Sequence, residues 1–270
     1  MNEIWDDSRT PLDRIDVPHA AVYDCLLHGG AHIAYPWVFT AGVLLGMLWL
    51  ILQNSDRQAP SQASHDLLPA AALALAIGLV LARLSFAATF GRYYLDHPFE
   101  VLWLWQGGLS GSGGLIGGLL GIWLYTRISK EPLLKTADQF ALPALIVGVS
   151  CWIGCWLDGC AYGQPLQSSF AIFTTADMFG TRISRWPATL LGLLPLLAAL
   201  ALLNHTTSSR LPNGRRAATS FTALALGILL ASLVRADPMP VITNLRLDTL
   251  TGLVLTIVGA SALLISFRRG

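Results

Sequence analysis

Apolar residues run along this chain in about seven long stretches, near Tyr35–Gln53, Leu67–Phe90, Val101–Tyr125, Phe140–Leu157, Pro187–Leu203, Phe221–Val234 and Leu250–Phe267. A hydrocarbon core about 30 Å thick is crossed by roughly 20 residues of helix, so each stretch predicts a transmembrane helix. Polar or basic segments separate them: Asn54–Asp66, Gly91–Glu100, Thr126–Asp138, Asp158–Trp186, Asn204–Ser220 and Arg235–Leu247. None is long enough to divide the body, so the pattern predicts an all-α, polytopic transmembrane bundle over residues 35–270. A polar, acidic N-terminal arm over residues 1–34 precedes it.

Composition agrees. Of 270 residues, 54% are apolar and 12% charged, with a mean hydropathy of +0.57. A soluble domain carries about 25% charged residues, so this chain lacks the charge to clothe a water-facing surface. A net charge of +1 supplies no basic field for nucleic acid. The opening Met-Asn-Glu-Ile-Trp-Asp-Asp has neither a basic nor an apolar leader region, so no cleavable signal peptide is expected. With the N-terminus outside, Lys and Arg at the segment ends divide nine inside to seven outside. The inner ones form dense clusters (Arg127, Lys130, Lys135; Arg210, Arg215, Arg216; Arg268, Arg269), so the orientation expected is N-out, C-in.

Three features stand out as candidate chemistry. The third stretch holds Gln106-Gly107-Gly108-Leu109-Ser110-Gly111-Ser112-Gly113-Gly114, enough glycine to break a helix. Its first half, with Gln106 and Ser112 interleaved, reads either as close packing or as an unwound segment whose N–H groups hold an anionic headgroup. Arg83 sits inside the second stretch, where a charge is a functional candidate unless it snorkels to the interface. A guanidinium there suits a phosphodiester. Third, Cys151, Cys155, Asp158 and Tyr162 lie on one helical stripe if the helix continues. Asp158 reads as a base, a hydroxyl anchor or a plain loop carboxylate. Cys155 and Cys160 are either buried thiols or a disulfide, should Gly159 bend the chain. The six histidines show no ligand spacing, so neither a metal nor a cofactor is expected.

The residues Ala82-Arg83-Leu84, Tyr93-Tyr94-Leu95, His97-Pro98, Trp105-Gln106-Gly107-Gly108-Leu109 and Gly113-Gly114-Leu115-Ile116-Gly117-Gly118 resemble the bacterial prolipoprotein diacylglyceryl transferases. The order continues through Ile153-Gly154, Gly159, Tyr162-Gly163, Pro187 and Arg235-Ala236-Asp237, and Tyr35 stands where that family has a tyrosine at its first span. The resemblance implies transfer of a diacylglyceryl group from phosphatidylglycerol, or another anionic phospholipid, to the lipobox cysteine of a prolipoprotein. The signal peptide of that prolipoprotein and the lipid bilayer would be its partners, at the outer face of the bacterial cytoplasmic membrane. Asp158 and Arg83 would be catalytic. Tyr35, Gln106, Gly107, Gly108, Ser112, Gly113, Cys155, Tyr162 and Arg235 would line the substrate site.

Several family positions differ. Arg and Asn of its signature stand here as Trp152 and Cys155, its later Asn and Glu as Asp158 and Cys160, and its His before Gly-Gly-Leu as Ser112. Its His-Pro…Glu appears as Trp186-Pro187…Gly192, and the Arg of its sixth span falls near Ile228. Two other readings therefore stand beside the transferase: a non-catalytic lipid- or partner-binding paralogue, and a thiol protein using Cys155 and Cys160.

Overall fold

Lipid offers no partner to a bare N–H or C=O, so apolar stretches satisfy their backbones as helices. The computed structural model describes residues 34–55, 67–104, 107–166, 174–176, 182–205 and 212–268. The helices are α1 (Ala34–Ser55), α2 (Leu68–Thr89), α3 (Gly91–Asp96), α4 (Gly111–Ser129), α5 (Leu133–Gln139), α6 (Ala141–Leu157), α7 (Ala188–His205), α8 (Arg215–Ser232) and α9 (Leu247–Arg268). A 3₁₀ turn covers Pro98–Leu102. Two antiparallel ribbons, β1 (Thr174–Ala176) with β2 (Arg182–Ser184) and β3 (Val241–Ile242) with β4 (Leu245–Arg246), are small additions to a mostly helical fold expected to be all-α. Of the N-terminal arm, only Ala34 falls within the described residues.

Among the described residues, α1, α2, α7 and α9 are long and apolar enough to cross a membrane. The pair α5–α6, bent by 46°, makes a fifth if it is one broken span. Two expected boundaries are corrected. The third stretch is not a helix from Val101: α4 starts only at Gly111, because the glycines before it leave the helical path. The sixth stretch starts six residues early, at Arg215, where Asp138 supplies a cap.

Packing is by neighbouring pairs: α2 lies on α4, α1 on α6, and α8 on both α7 and α9. Gly113, Gly117 and Gly121 form the stripe that lets α4 approach α2, since a Cβ at Gly117 would come within 2.8 Å of the Gly78 Cα. One apolar core joins Leu50, Ala70, Ala71, Ile122, Ala137 and Phe140; a second joins Leu145, Leu196, Ala199 and Ala223, with Trp152 against it.

Two aspartates at opposite ends of α6 set the direction of two other helices. Asp138 accepts from the backbone N–H groups of Gly214 (2.6 Å) and Ala217 (2.8 Å), capping α8. Asp158 accepts from those of Ala34 (3.2 Å) and Tyr35 (2.8 Å), capping α1. A cap side chain satisfies N–H groups that no carbonyl in the helix can reach. The two caps make α8 parallel to α6 and α1 antiparallel to it.

Candidate functional site

The segment joining α2 to α4 is held by one side chain. Arg83, 4% exposed on α2, donates through Nε to the Val101 carbonyl (2.8 Å) and through Nη1 to those of Gly107 (2.6 Å) and Gly108 (3.1 Å). Its Nη2 donates to the carbonyls of Glu100 (2.5 Å) and Trp103 (3.2 Å). A guanidinium has five N–H donors, and all five meet backbone oxygen. Tyr94 covers its face at 5.3 Å, and Tyr93 donates to the Glu100 carboxylate at 2.5 Å. Burial raises the Tyr94 pKa above its ordinary value; Arg83 pulls it down and Glu100 pushes it up.

Arg83 lies a turn and a half inside the end of α2, roughly 9 Å of helix rise. The Ser110 N–H reaches the Ala82 carbonyl at 3.0 Å, so the segment returns to that depth before α4 begins. Leu95, Phe99 and Leu102 on it are 82%, 78% and 73% exposed. Irregular backbone beside apolar surface needs its polar groups satisfied by protein, and Arg83 does this for five carbonyls of the segment. Gly107 and Gly108 take φ of +78° and +71°, and a Cβ at Gly108 would lie 2.6 Å from the Phe86 ring and 2.8 Å from Arg83 Nη1.

At the start of α4, Ser110 accepts from the Gly113 N–H at 3.4 Å, and its hydroxyl is 3.0 Å from that of Ser112. A Cβ at Gly111 would lie 3.7 Å from Ile228 Cδ1, so the helix start faces the C-terminal half of α8. Gly113 belongs to the packing stripe, with Ser85 and the Leu81 carbonyl in the way of any side chain. Gln106 lies outside the described residues.

The second group forms around the end of α6. Asp158, 8% exposed, holds the start of α1 as described. Tyr35 lies against Gly154, whose Cβ would be 3.0 Å from Tyr35 Cδ2, one turn from the free thiol of Cys151. Cys155 and Cys160 are joined as a disulfide, with Gly159 at φ +69° providing the bend. A pocket here is lined by Cys155, Cys160, Tyr162, Trp186 and Thr189. Arg185 lies over the Tyr162 ring at 4.8 Å, and Gly163 pairs with Arg235 as an isolated bridge.

Arg235 is paired, not free. It binds Asp237 through Nε (2.7 Å) and Nη2 (2.5 Å), with Asp248 at 3.8 Å. Arg246 binds Asp248 at 3.1 Å and Asp237 at 3.4 Å, closing a network of balanced charge. Burial works against the Arg235 charge, and Asp237 and Asp248 more than offset it, so its pKa lies above the ordinary arginine value.

The expected site residues thus fall in two groups at the same end of the bundle, connected through α8. One holds Arg83, Gly107, Gly108, Ser112 and Gly113; the other holds Tyr35, Cys155, Asp158, Tyr162 and Arg235. Sequence reasoning passed over Arg185, Arg246 and Asp248. The signal for the last two was the repeated Arg-x-Asp, at Arg235-Ala236-Asp237 and again at Arg246-Leu247-Asp248.

Positions where the resemblance aligns ionic residues now hold matched apolar shapes. Trp152 packs on Gly192, where a Cβ would overlap its ring, and Ile228 closes on Gly111.

Comparison with known proteins converges on one family. A phosphatidylglycerol–prolipoprotein diacylglyceryl transferase of Tolumonas auensis is 33% identical over 147 residues, 52% of this chain and 55% of that protein. One of Lysinibacillus sphaericus is 28% identical over 138 residues, 50% of this chain and 49% of that protein. One of Bacillus licheniformis is 26% identical over 250 residues, 88% of this chain and 89% of that protein. The matched stretch is therefore about half the length of the first two relatives and nearly all of the third. The family model for prolipoprotein diacylglyceryl transferase matches residues 28–265, and the chain belongs to that family.

Proposed function

We propose that this chain transfers a diacylglyceryl group from phosphatidylglycerol, or a related anionic phospholipid, to the lipobox cysteine of a prolipoprotein signal peptide. Family membership over residues 28–265 supports this. The observation that carries it is the Arg83-held segment. It brings a buried cation and the N-terminal end of α4 together, and both favour an anionic group. Because its donors are engaged by carbonyls, Arg83 contributes its field and the shape of the Gly107–Ser110 turn. The phosphate is met by the α4 end and the Ser110 and Ser112 hydroxyls. Asp158, engaged by two N–H groups, anchors the α1 start and Tyr35 beside the thiol acceptor's path.

The transfer joins the acceptor sulfur to the glyceryl carbon and breaks that carbon's bond to phosphate oxygen, releasing glycerol phosphate. The acceptor thiol's proton ends on the leaving phosphate, which takes the electron pair of the broken C–O bond and needs positive surroundings while it does so.

We further propose seven spans with the N-terminus outside, in the bacterial cytoplasmic membrane, with α4 and α8 completing the set. Both are packed along candidate spans. Arg127, Lys130, Lys135, Arg215, Arg216 and Arg268 gather at the Asp138 end, as expected of an inner face. The disulfide is at the Asp158 end, where an oxidising outer face preserves it.

One observation favours a second reading, a lipid-binding paralogue without turnover: the packed Trp152–Gly192 pair in place of ionic residues. Expression in cells depleted of their own transferase separates the two. Restored lipoprotein maturation, lost in Arg83→Ala at equal protein level, supports the enzyme. Co-purified anionic phospholipid without any maturation supports the paralogue and ends the first reading.

A further inference from the structure

Asp158 sits inside a covalent ring. Cys155, in the last turn of α6, is bonded to Cys160 at a sequence separation of 5, with Cα atoms 4.8 Å apart. The ring encloses Trp156, Leu157, Asp158 and Gly159. Trp156 and Leu157 are turned outward, 52% and 55% exposed, while Asp158 is turned inward at 8%. Asp158 is the C-terminal cap residue of α6, where helices fray, and a glycine follows it. In an open chain those residues would have many backbone states to lose before the carboxylate reached another helix.

We propose that the Cys155–Cys160 disulfide is a positioning device for Asp158: the ring holds the carboxylate on the Ala34 and Tyr35 N–H groups and thereby keeps α1 docked on α6. The inference does not rest on the transferase reading, because its readout is docking and not turnover. The fold carries its own reporter. Cys151 is a free thiol one turn before Cys155, and the Tyr35 side chain, at the docked start of α1, lies against the same turn of α6 at Gly154. The thiol, half-buried while α1 is docked, becomes more exposed when that start lifts. A dithiol opens the ring: the S–S bond breaks, each sulfur gains one electron and one proton, and the dithiol leaves as its own cyclic disulfide.

The test uses the full chain in lipid nanodiscs, carrying Cys25→Ser, with N-ethylmaleimide modification of Cys151 followed by peptide mass. Labelling is slow in the oxidised parent. It rises about tenfold in Cys155→Ser/Cys160→Ser, the scale of losing a helix cap, and equally in Asp158→Ala. Asp158→Asn, which retains an acceptor oxygen, stays near the parent rate. Combining the ring-opening and Asp158→Ala changes adds nothing further, since both act through one contact. A reporter at the far end, Ser220→Cys on α8, stays slow throughout.

The proposal is overturned if ring opening leaves Cys151 slow, if it accelerates labelling while Asp158→Ala does not, or if the two effects multiply. Acceleration at position 220 alongside Cys151 also overturns it, because that marks general loosening. Should the double serine variant fail to accumulate, the parent protein reduced with dithiothreitol and freed of it gives the same comparison. Its Cys151 adduct is resolved by mass from those of Cys155 and Cys160.

Discussion

The indole of Trp152 on α6 occupies the space that any side chain at Gly192 on α7 would need. The family resemblance aligns these positions with an Arg and a Glu, and here a large and a minimal residue fit together in their place. Trp152→Arg alone therefore places a cation against an apolar core with no anion. Gly192→Ala alone overpacks the contact, at about 1–3 kcal/mol. Thermal unfolding in detergent is expected to show both singles destabilised, and Trp152→Arg/Gly192→Glu more stable than the sum of Trp152→Arg and Gly192→Glu. Additivity across that cycle would show that the two positions do not act as a pair.

Arg83→Lys is expected to behave as a severe change, because one ammonium cannot reach five carbonyls set around a planar fork. Each orphaned buried acceptor costs about 1–3 kcal/mol. Gly108→Ala should weaken the same turn through its positive φ and the Phe86 ring. A melting temperature for Arg83→Lys within a degree or two of the parent would rule out the clamp.

Ile228→Arg is expected to bring a cation to the start of α4. At partial burial the added attraction for phosphate is on the order of tenfold in affinity. Native mass spectrometry of phosphatidylglycerol against phosphatidylcholine, compared with Ile228→Gln, reads it. Equal retention of both lipids by Ile228→Arg would remove the headgroup from that place.

A nitroxide carried by Leu102→Cys, in protein whose native free thiols are serine, is expected to collide with oxygen more often than with a water-soluble nickel chelate. Thr243→Cys, in the turn between β3 and β4, should show the reverse. Chelate access at position 102 matching that at 243 would put the Arg83-held segment in water.

Arg246→Gln removes one of the two cations that balance Asp237 and Asp248. The network is partly exposed, so the loss is set at about 1–2 kcal/mol. Combining it with Asp248→Asn should recover part of it, measured by chemical denaturation.

Much of the bundle was legible in the sequence because a span's requirement is one-dimensional: a run of apolar residues long enough to cross lipid. Tyr35–Gln53 and Leu67–Phe90 lie within a residue or two of α1 and α2 for that reason. The first half of the third stretch stayed open between close packing and an unwound segment, because hydropathy cannot distinguish a glycine-rich helix from a glycine-rich turn; the structure shows residues 107–110 outside the helix. Whether Gly107 continues α4 or leaves it depends on Arg83, 24 residues away in sequence. The same limit applied to Arg83, whose residue type suggested phosphate while its partners are carbonyls of its own chain.

The sequence by itself determined that this is a membrane chain, which segments are apolar, and which family it resembles, since these follow from residue identity and order. Only the tertiary structure decided what each polar group is paired with. It turned Asp158 into a cap for α1, joined Cys155 to Cys160 and set Trp152 on Gly192. It also tied Arg235 to Asp237, Arg246 and Asp248. The physical reason is that in a low-dielectric interior a polar side chain takes its role from the partner that satisfies it. That partner lies at a distance along the chain which no local pattern encodes.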